Sequence, residues 1–135
     1  MPKTYKIYLP AVEGSVEEEW KLCLNQIENS CKEGYTPVKL NVFIDQPDFE
    51  SFLKAREKIS RSVTDKFSTC CPALNITVHP PEKPWKVAVE ASFIPSGTLK
   101  VTGKIFRAIP YLVIESESGK EIWAGGVSSY LYPED

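Results

Sequence analysis

Few side chains in this sequence are candidates for a catalytic or metal-binding role. The single histidine, His79, rules out metal sites built from several histidines and most serine–histidine or cysteine–histidine triads. Glu90 lies in an apolar, strand-like run. There a carboxylate facing a cleft can orient water or accept a proton, whereas one facing solvent is only a surface charge. Tyr111 is either a site hydroxyl or a strand aromatic whose polar end reaches the surface.

The four cysteines do not form the pattern of a disulfide scaffold. Cys70 and Cys71 are adjacent, and Cys23 and Cys31 are separated by about two helical turns, too far apart to bond within one helix. Four thiols in 135 residues are also sparse for such a scaffold. We expect reduced and mostly buried thiols. The alternative is a reactive Cys70 or Cys71 in a loop.

Composition and charge narrow the class of protein. The chain has 135 residues, of which 42% are hydrophobic and 25% charged, and this is ordinary for one globular domain. The net charge of -2 does not favour a nucleic-acid partner, so we interpret the basic run Lys54, Arg56, Lys58 and Arg61 as a solvated helix face. Pro10 interrupts the N-terminus, and no apolar run approaches bilayer-spanning length. The expectations are a cytoplasmic location and no membrane partner.

The sequence predicts two helices. Ser15 and Glu18 have the spacing of a capping box, and three glutamates, Glu17 to Glu19, occupy the first turn, where the helix dipole favours negative charge. The second helix follows Asp48. The apolar face of the first helix consists of Trp20, Cys23, Leu24, Ile27 and Cys31, and that of the second of Phe49, Phe52, Leu53, Ile59, Val63 and Phe67.

The rest of the chain reads as strands. Alternation predicts that Val38, Leu40, Val42 and Ile44 share one strand face. The predicted strands are Thr4–Leu9, Val38–Asp45, Ala73–His79, Lys86–Phe93, Leu99–Ile109, and a hairpin of Tyr111–Glu117 with Glu121–Val127. This order predicts an α+β fold, a mixed β-sheet with two helices packed on one face. We expect a single domain over residues 1–135, with a core in 1–94 and C-terminal strands and hairpin in 95–135.

Three segments of this core resemble one family. They are PVKLNVFIDQPDFESFLKAREKI (37–59), TCCPALNITVH (69–79) and WKVAVEASF (85–93). They are similar to the Rid family, also called YjgF or UK-type, and described in older terms as translation-initiation inhibitors or L-PSP endoribonucleases. The resemblance extends over roughly Ser15 to Phe93 and implies a chorismate-mutase-like, YjgF-type fold.

The family's N-terminal hairpin does not precede the first helix here. A similar pattern lies at the other end, where Pro110-Tyr111 opens a strand and Ser118-Gly119 turns it. One interpretation is a circular permutation that moves the hairpin to the C-terminus, with Pro95-Ser96-Gly97 as the linker, since permutation at exposed loops is tolerated. The other is an ordinary Rid core with an unrelated C-terminal addition.

The resemblance implies a homotrimer with small-molecule clefts between subunits and hydrolysis of amino-acid-derived enamines or imines, without a cofactor or metal. In the family an arginine that follows Pro-Ala holds the substrate carboxylate, and here that position is Leu74, which cannot do so. The family's serine falls at Ala124. The resemblance implies catalytic roles for Glu90 and Tyr111. The substrate-binding candidates are Leu74, Asn75, Arg107, Ala124 and Gly125.

Three functions remain open at the level of sequence. The first is a Rid-like homotrimer that lacks standard imine deaminase activity and binds a small molecule in an intersubunit cleft. The second is an enamine or imine deaminase with a divergent site, in which Arg107 could replace the missing carboxylate clamp. The third is an endoribonuclease or translation inhibitor, against which the acidic balance and the lack of a histidine pair argue.

Overall fold

The computed structural model describes residues 4–97, 100–107, 109–116 and 119–124. Two helices and seven strands occupy these ranges. They are β1 (Thr4–Tyr8), α1 (Val16–Lys32), β2 (Tyr35–Ile44), α2 (Phe49–Lys66), β3 (Ala73–Val78), β4 (Val87–Pro95), β5 (Lys100–Phe106), β6 (Ile109–Ser116) and β7 (Gly119–Ala124). The predicted α+β class and the two predicted helices are confirmed.

The larger sheet has four strands in the order β1-β4-β2-β3. It is mixed, because β2 and β3 run parallel while β4 is antiparallel to both β1 and β2. Both helices contribute to the main core on one face of this sheet, through Trp20, Cys23 and Ile27 of α1 and Ile59 and Val63 of α2. Apart from Tyr35 at the start of β2, the helix-facing side chains of β2 and β4 are fully buried, as expected for a sheet face covered by amphipathic helices.

A buried carboxylate fixes α1 to this sheet. The Ser15–Glu18 capping box begins the helix as predicted. The side chain of Glu19 is fully buried, and its carboxylate accepts hydrogen bonds from the backbone N–H groups of Gly14, Lys86 and Val87 at 2.7–3.1 Å. The Lys86 ammonium lies 3.8 Å away. Glu19 therefore connects the loop before α1 to the beginning of β4.

The prediction that Val38 shares a face with Leu40, Val42 and Ile44 is wrong. The pairing register between β2 and β4 shifts between Pro37 and Lys39, which is the signature of a β-bulge. A bulge inserts one extra residue and reverses the alternation of side chains beyond it. Val38 therefore leaves the helix side and packs with Ile94, Leu112 and Ile114 in a second core cluster on the other face of the sheet.

This second cluster joins the larger sheet to a smaller one. The smaller sheet has the order β5-β6-β7, with both pairs antiparallel. The sequence predicted a single sheet and one strand over Leu99–Ile109. The chain instead turns at Arg107, whose φ is 50°, so this stretch forms β5 and the start of β6. The predicted hairpin is present as β6 and β7.

Gly103 fixes how closely β5 approaches the rest of the molecule. A Cβ at this position would overlap the carbonyl oxygen of Thr69, in the loop between α2 and β3. The thiol of Cys70 in the same loop donates to the carbonyl of Val101 at 3.8 Å. The smaller sheet therefore lies directly against this loop and covers only part of the outer face of the larger sheet.

Candidate functional site

A row of polar side chains crosses three strands of the larger sheet, β4, β2 and β3, on the face away from the helices. Asn41 lies opposite Glu90 on β4 and opposite Asn75 on β3. The Asn75 amide donates to Oδ1 of Asn41 at 3.2 Å. On the edge strand β1, Tyr5 lies in register with Ser92, two residues from Glu90, and desolvation and the Glu90 carboxylate raise the pKa of its phenol. We call Glu90, Asn41 and Asn75, together with the adjacent Tyr5, the polar row.

The polar row is partly open to solvent. Glu90, Asn41 and Asn75 are half-buried, and Tyr5 retains 59% of its exposure. Partial desolvation, the hydrogen bond to Glu90 and the charge of that carboxylate raise the pKa of the Tyr5 phenol above its ordinary value. Each cause favours the neutral phenol, so the hydroxyl remains a hydrogen-bond donor at neutral pH.

A cation lies one row farther along the same face. Lys39 pairs in register with Ser92, and both are two residues from their polar-row neighbours Asn41 and Glu90. Two residues along a strand correspond to roughly 7 Å. Neither Lys39 nor Glu90 forms a salt bridge with any described residue. This face thus presents an ammonium and a carboxylate side by side, available to a ligand that carries the opposite charges.

Alternation along β3 separates two of the predicted substrate-binding residues. Asn75 belongs to the polar row beside Asn41. Leu74 packs against the main core on the helix side of the sheet. A side chain in that position does not reach the polar row. The residue that takes the place of the family's arginine therefore contributes to packing.

Three further predicted site residues, Tyr111, Ala124 and Arg107, lie on the smaller sheet or in its β5–β6 turn. Tyr111 pairs with Lys104 and Ala124, and it points away from the larger sheet because its neighbour Leu112 points into the second cluster. Arg107 is exposed at the β5–β6 turn, with its guanidinium 5.3 Å from the centre of the Phe106 ring. Gly125 lies outside the described residues. Within one chain, Tyr111 and Glu90 therefore belong to different surfaces.

The other reactive side chains have structural surroundings. Burial, with a smaller contribution from the charge of Glu19, raises the pKa of Cys23 to about 12, and desolvation also raises the pKa values of Cys31 and Cys71. All four cysteines are free thiols, as expected, but the expectation that most are buried is wrong: only Cys23 is buried, and Cys31, Cys70 and Cys71 are half-buried. The exposed His79 stacks edge-on against Phe43. Among the described residues, no cluster of three or more histidine, cysteine or acidic side chains could hold a metal ion.

The sequence contained signals for residues that were missed. Alternation along β2 places Lys39, Asn41 and Phe43 opposite the apolar face, so the polar character of this face could have been recognised. Glu19 lies four residues before Cys23, on the apolar face of α1. A carboxylate at such a position requires buried donors. Tyr5 gave no signal, since its contact with Glu90 depends on the pairing of β1 with β4.

Three of the four residues of the basic run on α2, Lys54, Lys58 and Arg61, are exposed, and two of these form salt bridges. Lys58 pairs with Glu17 of α1 at 2.9 Å, and Arg61 pairs with Glu57. This agrees with its interpretation as a solvated helix face. None of the helices in the described residues is long and apolar enough to cross a membrane.

No protein-family model, curated protein or solved structure matches this chain. The resemblance to the Rid family therefore depends on the three sequence segments quoted above.

Proposed function

We propose that this chain is a cytoplasmic, Rid-like homotrimer that binds a small molecule in a cleft between subunits and lacks standard imine deaminase activity. The observation that carries the proposal is the polar row with Lys39 beside it, on a sheet face that the helices leave open. A half-buried carboxylate and a nearby ammonium, neither with a salt bridge to a described residue, are groups expected in a small-molecule site. The circularly permuted YjgF-type fold belongs to the same proposal.

The ligand class follows from the charges. Glu90 would accept hydrogen bonds from a protonated or N–H-bearing nitrogen, and Lys39 would bind a carboxylate. The Asn41 and Asn75 amides supply further donors and acceptors. These groups match a small amino acid or a close derivative of one.

The division of the site residues favours a cleft between subunits. Glu90 and Asn75 lie on the larger sheet, whereas Tyr111, Ala124 and Arg107 lie on the smaller sheet and its turn. A second copy would be needed to bring both groups to one ligand. Tyr5 and Ile7 expose 59% and 63% of their surface on the edge strand, and apolar exposure of this kind is typical of a contact surface.

Saturation-transfer NMR on a mixture of the common amino acids tests this proposal. We expect transfer to at least one amino acid with the wild-type chain, and its loss with Lys39→Met and with Glu90→Gln. Lys100→Met, on the exposed first residue of β5, is the matched control and should keep the signal. Absence of transfer in the wild type, or its persistence in both site variants, would contradict the proposal.

The second candidate is imine hydrolysis at a divergent site. The observation that favours it is Lys39, which could hold a carboxylate in place of the arginine absent at position 74. None of the chain's three arginines, Arg56, Arg61 and Arg107, belongs to the four-stranded sheet. With freshly generated 2-iminopropanoate, the binding proposal predicts the uncatalysed rate. Turnover that Glu90→Gln and Lys39→Met abolish would establish the deaminase instead.

A further inference from the structure

We propose that a groove between the first halves of α1 and α2 is a separate site for a small apolar molecule that carries a carboxylate. The groove has a volume of about 280 Å³ and lies on the helix side of the larger sheet. We define the helix groove by Val16, Trp20, Ala55 and Ile59, which form its floor, and by Lys54 and Lys58 on its rim.

The groove exists because α2 is buried over only part of its length. Its buried residues, Ile59 and Val63, lie in the second half of the helix, while Phe49 at the start remains 69% exposed. In the first half, Phe52 and Ala55 pack only partly against the main core. A groove remains between α1 and this half of α2, and the space between two rigid helices is a usual place for a ligand site.

The floor is held in place without presenting unsatisfied polar groups. Trp20 is 3% exposed, and its indole Nε1–H donates to the hydroxyl of Ser62 at 2.9 Å. That hydroxyl in turn donates to the carbonyl of Ile59 at 2.7 Å. Because the indole N–H already has an acceptor, the floor favours the hydrocarbon part of a ligand over a polar one.

The rim carries a cation, Lys54, that has no salt-bridge partner among the described residues. Glu17, Lys54 and Lys58 are the charged residues lining the groove, and Lys58 is neutralised by Glu17 at 2.9 Å. Lys54 forms no salt bridge with any described residue. The nearby Asp48 carboxylate, which does not line the groove, accepts from the N–H and hydroxyl of Ser51, and the charge of Lys54 makes only the smallest contribution to its lowered pKa. The residues that line the groove therefore carry a net positive charge, which complements a carboxylate.

The two parts of the groove specify one kind of ligand. The apolar floor would contact a hydrocarbon or aromatic group of the ligand. Lys54 would pair with a single carboxylate at one end of that group. An amine at that end would be repelled by Lys54, and a fully polar ligand would leave the floor uncovered. Octanoate has the required chemistry and is a suitable probe.

Calorimetric titration with octanoate tests the proposal, with octanamide as the uncharged analogue. We expect the wild-type chain to bind octanoate more tightly than octanamide. Lys54→Gln should weaken octanoate binding by about three- to fivefold, the range of a partly exposed ion pair, and leave octanamide unaffected. Ala55→Phe should abolish binding of both by filling the floor.

Two controls separate this site from the polar row. Lys100→Gln and Glu90→Gln should leave octanoate affinity unchanged, and circular dichroism should show that Ala55→Phe remains folded. No octanoate binding at millimolar concentration, equal binding of octanamide by the wild type, or full affinity in Lys54→Gln would each overturn the proposal. If Ala55→Phe does not fold, the Lys54→Gln comparison decides the question alone.

Discussion

At the scale of single residues, Glu19 shows how a charged side chain can serve the fold. Its fully buried carboxylate satisfies three backbone N–H groups from two segments. Each buried donor that loses its acceptor lowers the stability of the fold by about 1–3 kcal/mol. The capping and dipole pattern identified Glu17 to Glu19 only as residues of a first turn. It could not identify which one the sheet would bury.

Glu19→Ala should lower the free energy of unfolding by about 3 kcal/mol, because the N–H groups of Lys86, Val87 and Gly14 lose their acceptor. Glu19→Gln keeps one acceptor oxygen and should lose less. Urea denaturation measures both changes. The control is Glu57→Ala, which removes an exposed ion pair with Arg61 and should change stability by less than about 1 kcal/mol. Equal stability of Glu19→Ala and Glu57→Ala would refute the anchoring role.

The Tyr5–Glu90 contact has a direct titration signature. Desolvation, the Glu90 hydrogen bond and the Glu90 charge all raise the pKa of the Tyr5 phenol. Glu90→Gln removes the charge, so the Tyr5 pKa should fall toward its ordinary value of about 10. Carbon-13 NMR of ring-labelled tyrosine follows this titration. A Tyr5 pKa unchanged by Glu90→Gln would show that the two side chains do not interact.

At the scale of elements, the helices were easier to predict than the relation between the sheets. Ser15 and Asp48 begin α1 and α2 through local capping bonds, and local bonds leave a pattern in sequence. The position of Val38 depends instead on a register shift against β4, a contact between distant segments. Alternation alone could therefore not predict which face Val38 occupies, nor that the C-terminal strands form a separate sheet.

The packing of the smaller sheet can be tested at Gly103. Gly103→Ala places a methyl group against the Thr69 carbonyl, so β5 must move away from that loop. Overpacking of this kind costs about 1–3 kcal/mol. Thr102→Ala, at the neighbouring position on the opposite face of β5, should have a smaller effect. Urea denaturation compares the two variants. Equal unfolding midpoints for Gly103→Ala and Thr102→Ala would mean that Gly103 is not closely packed.

At the scale of the whole molecule, the chain has two faces of different character. The helix side carries the helix groove and a second pocket between the C-terminal ends of the helices, and the opposite side carries the polar row and an exposed apolar edge. The polarity of this face could be predicted from Asn41 and Asn75 in alternating strands. The sequence could not predict that Glu90 and Tyr111 lie on two different surfaces, because their positions depend on where the smaller sheet packs.

Association of copies should depend on the exposed edge strand. Ile7→Lys places a charge on that edge and should shift the sedimentation mass from about three times 15.2 kDa toward one chain. Phe49→Lys is the matched control, because Phe49 is similarly exposed on the helix side and should leave the mass unchanged. A wild-type chain that sediments as a monomer would contradict the trimer.

The central claim is that one copy supplies Glu90 and its neighbour supplies Tyr111 to the same ligand. Subunit mixing tests it directly, with the amino acid that gives the strongest saturation transfer as the probe. Glu90→Gln and Tyr111→Phe should each fail to bind it alone. After random mixing in equal amounts, roughly a quarter of all sites should be intact and regain binding, as a heterologous ring requires. Mixed trimers of confirmed mass that regain no binding would contradict the claim.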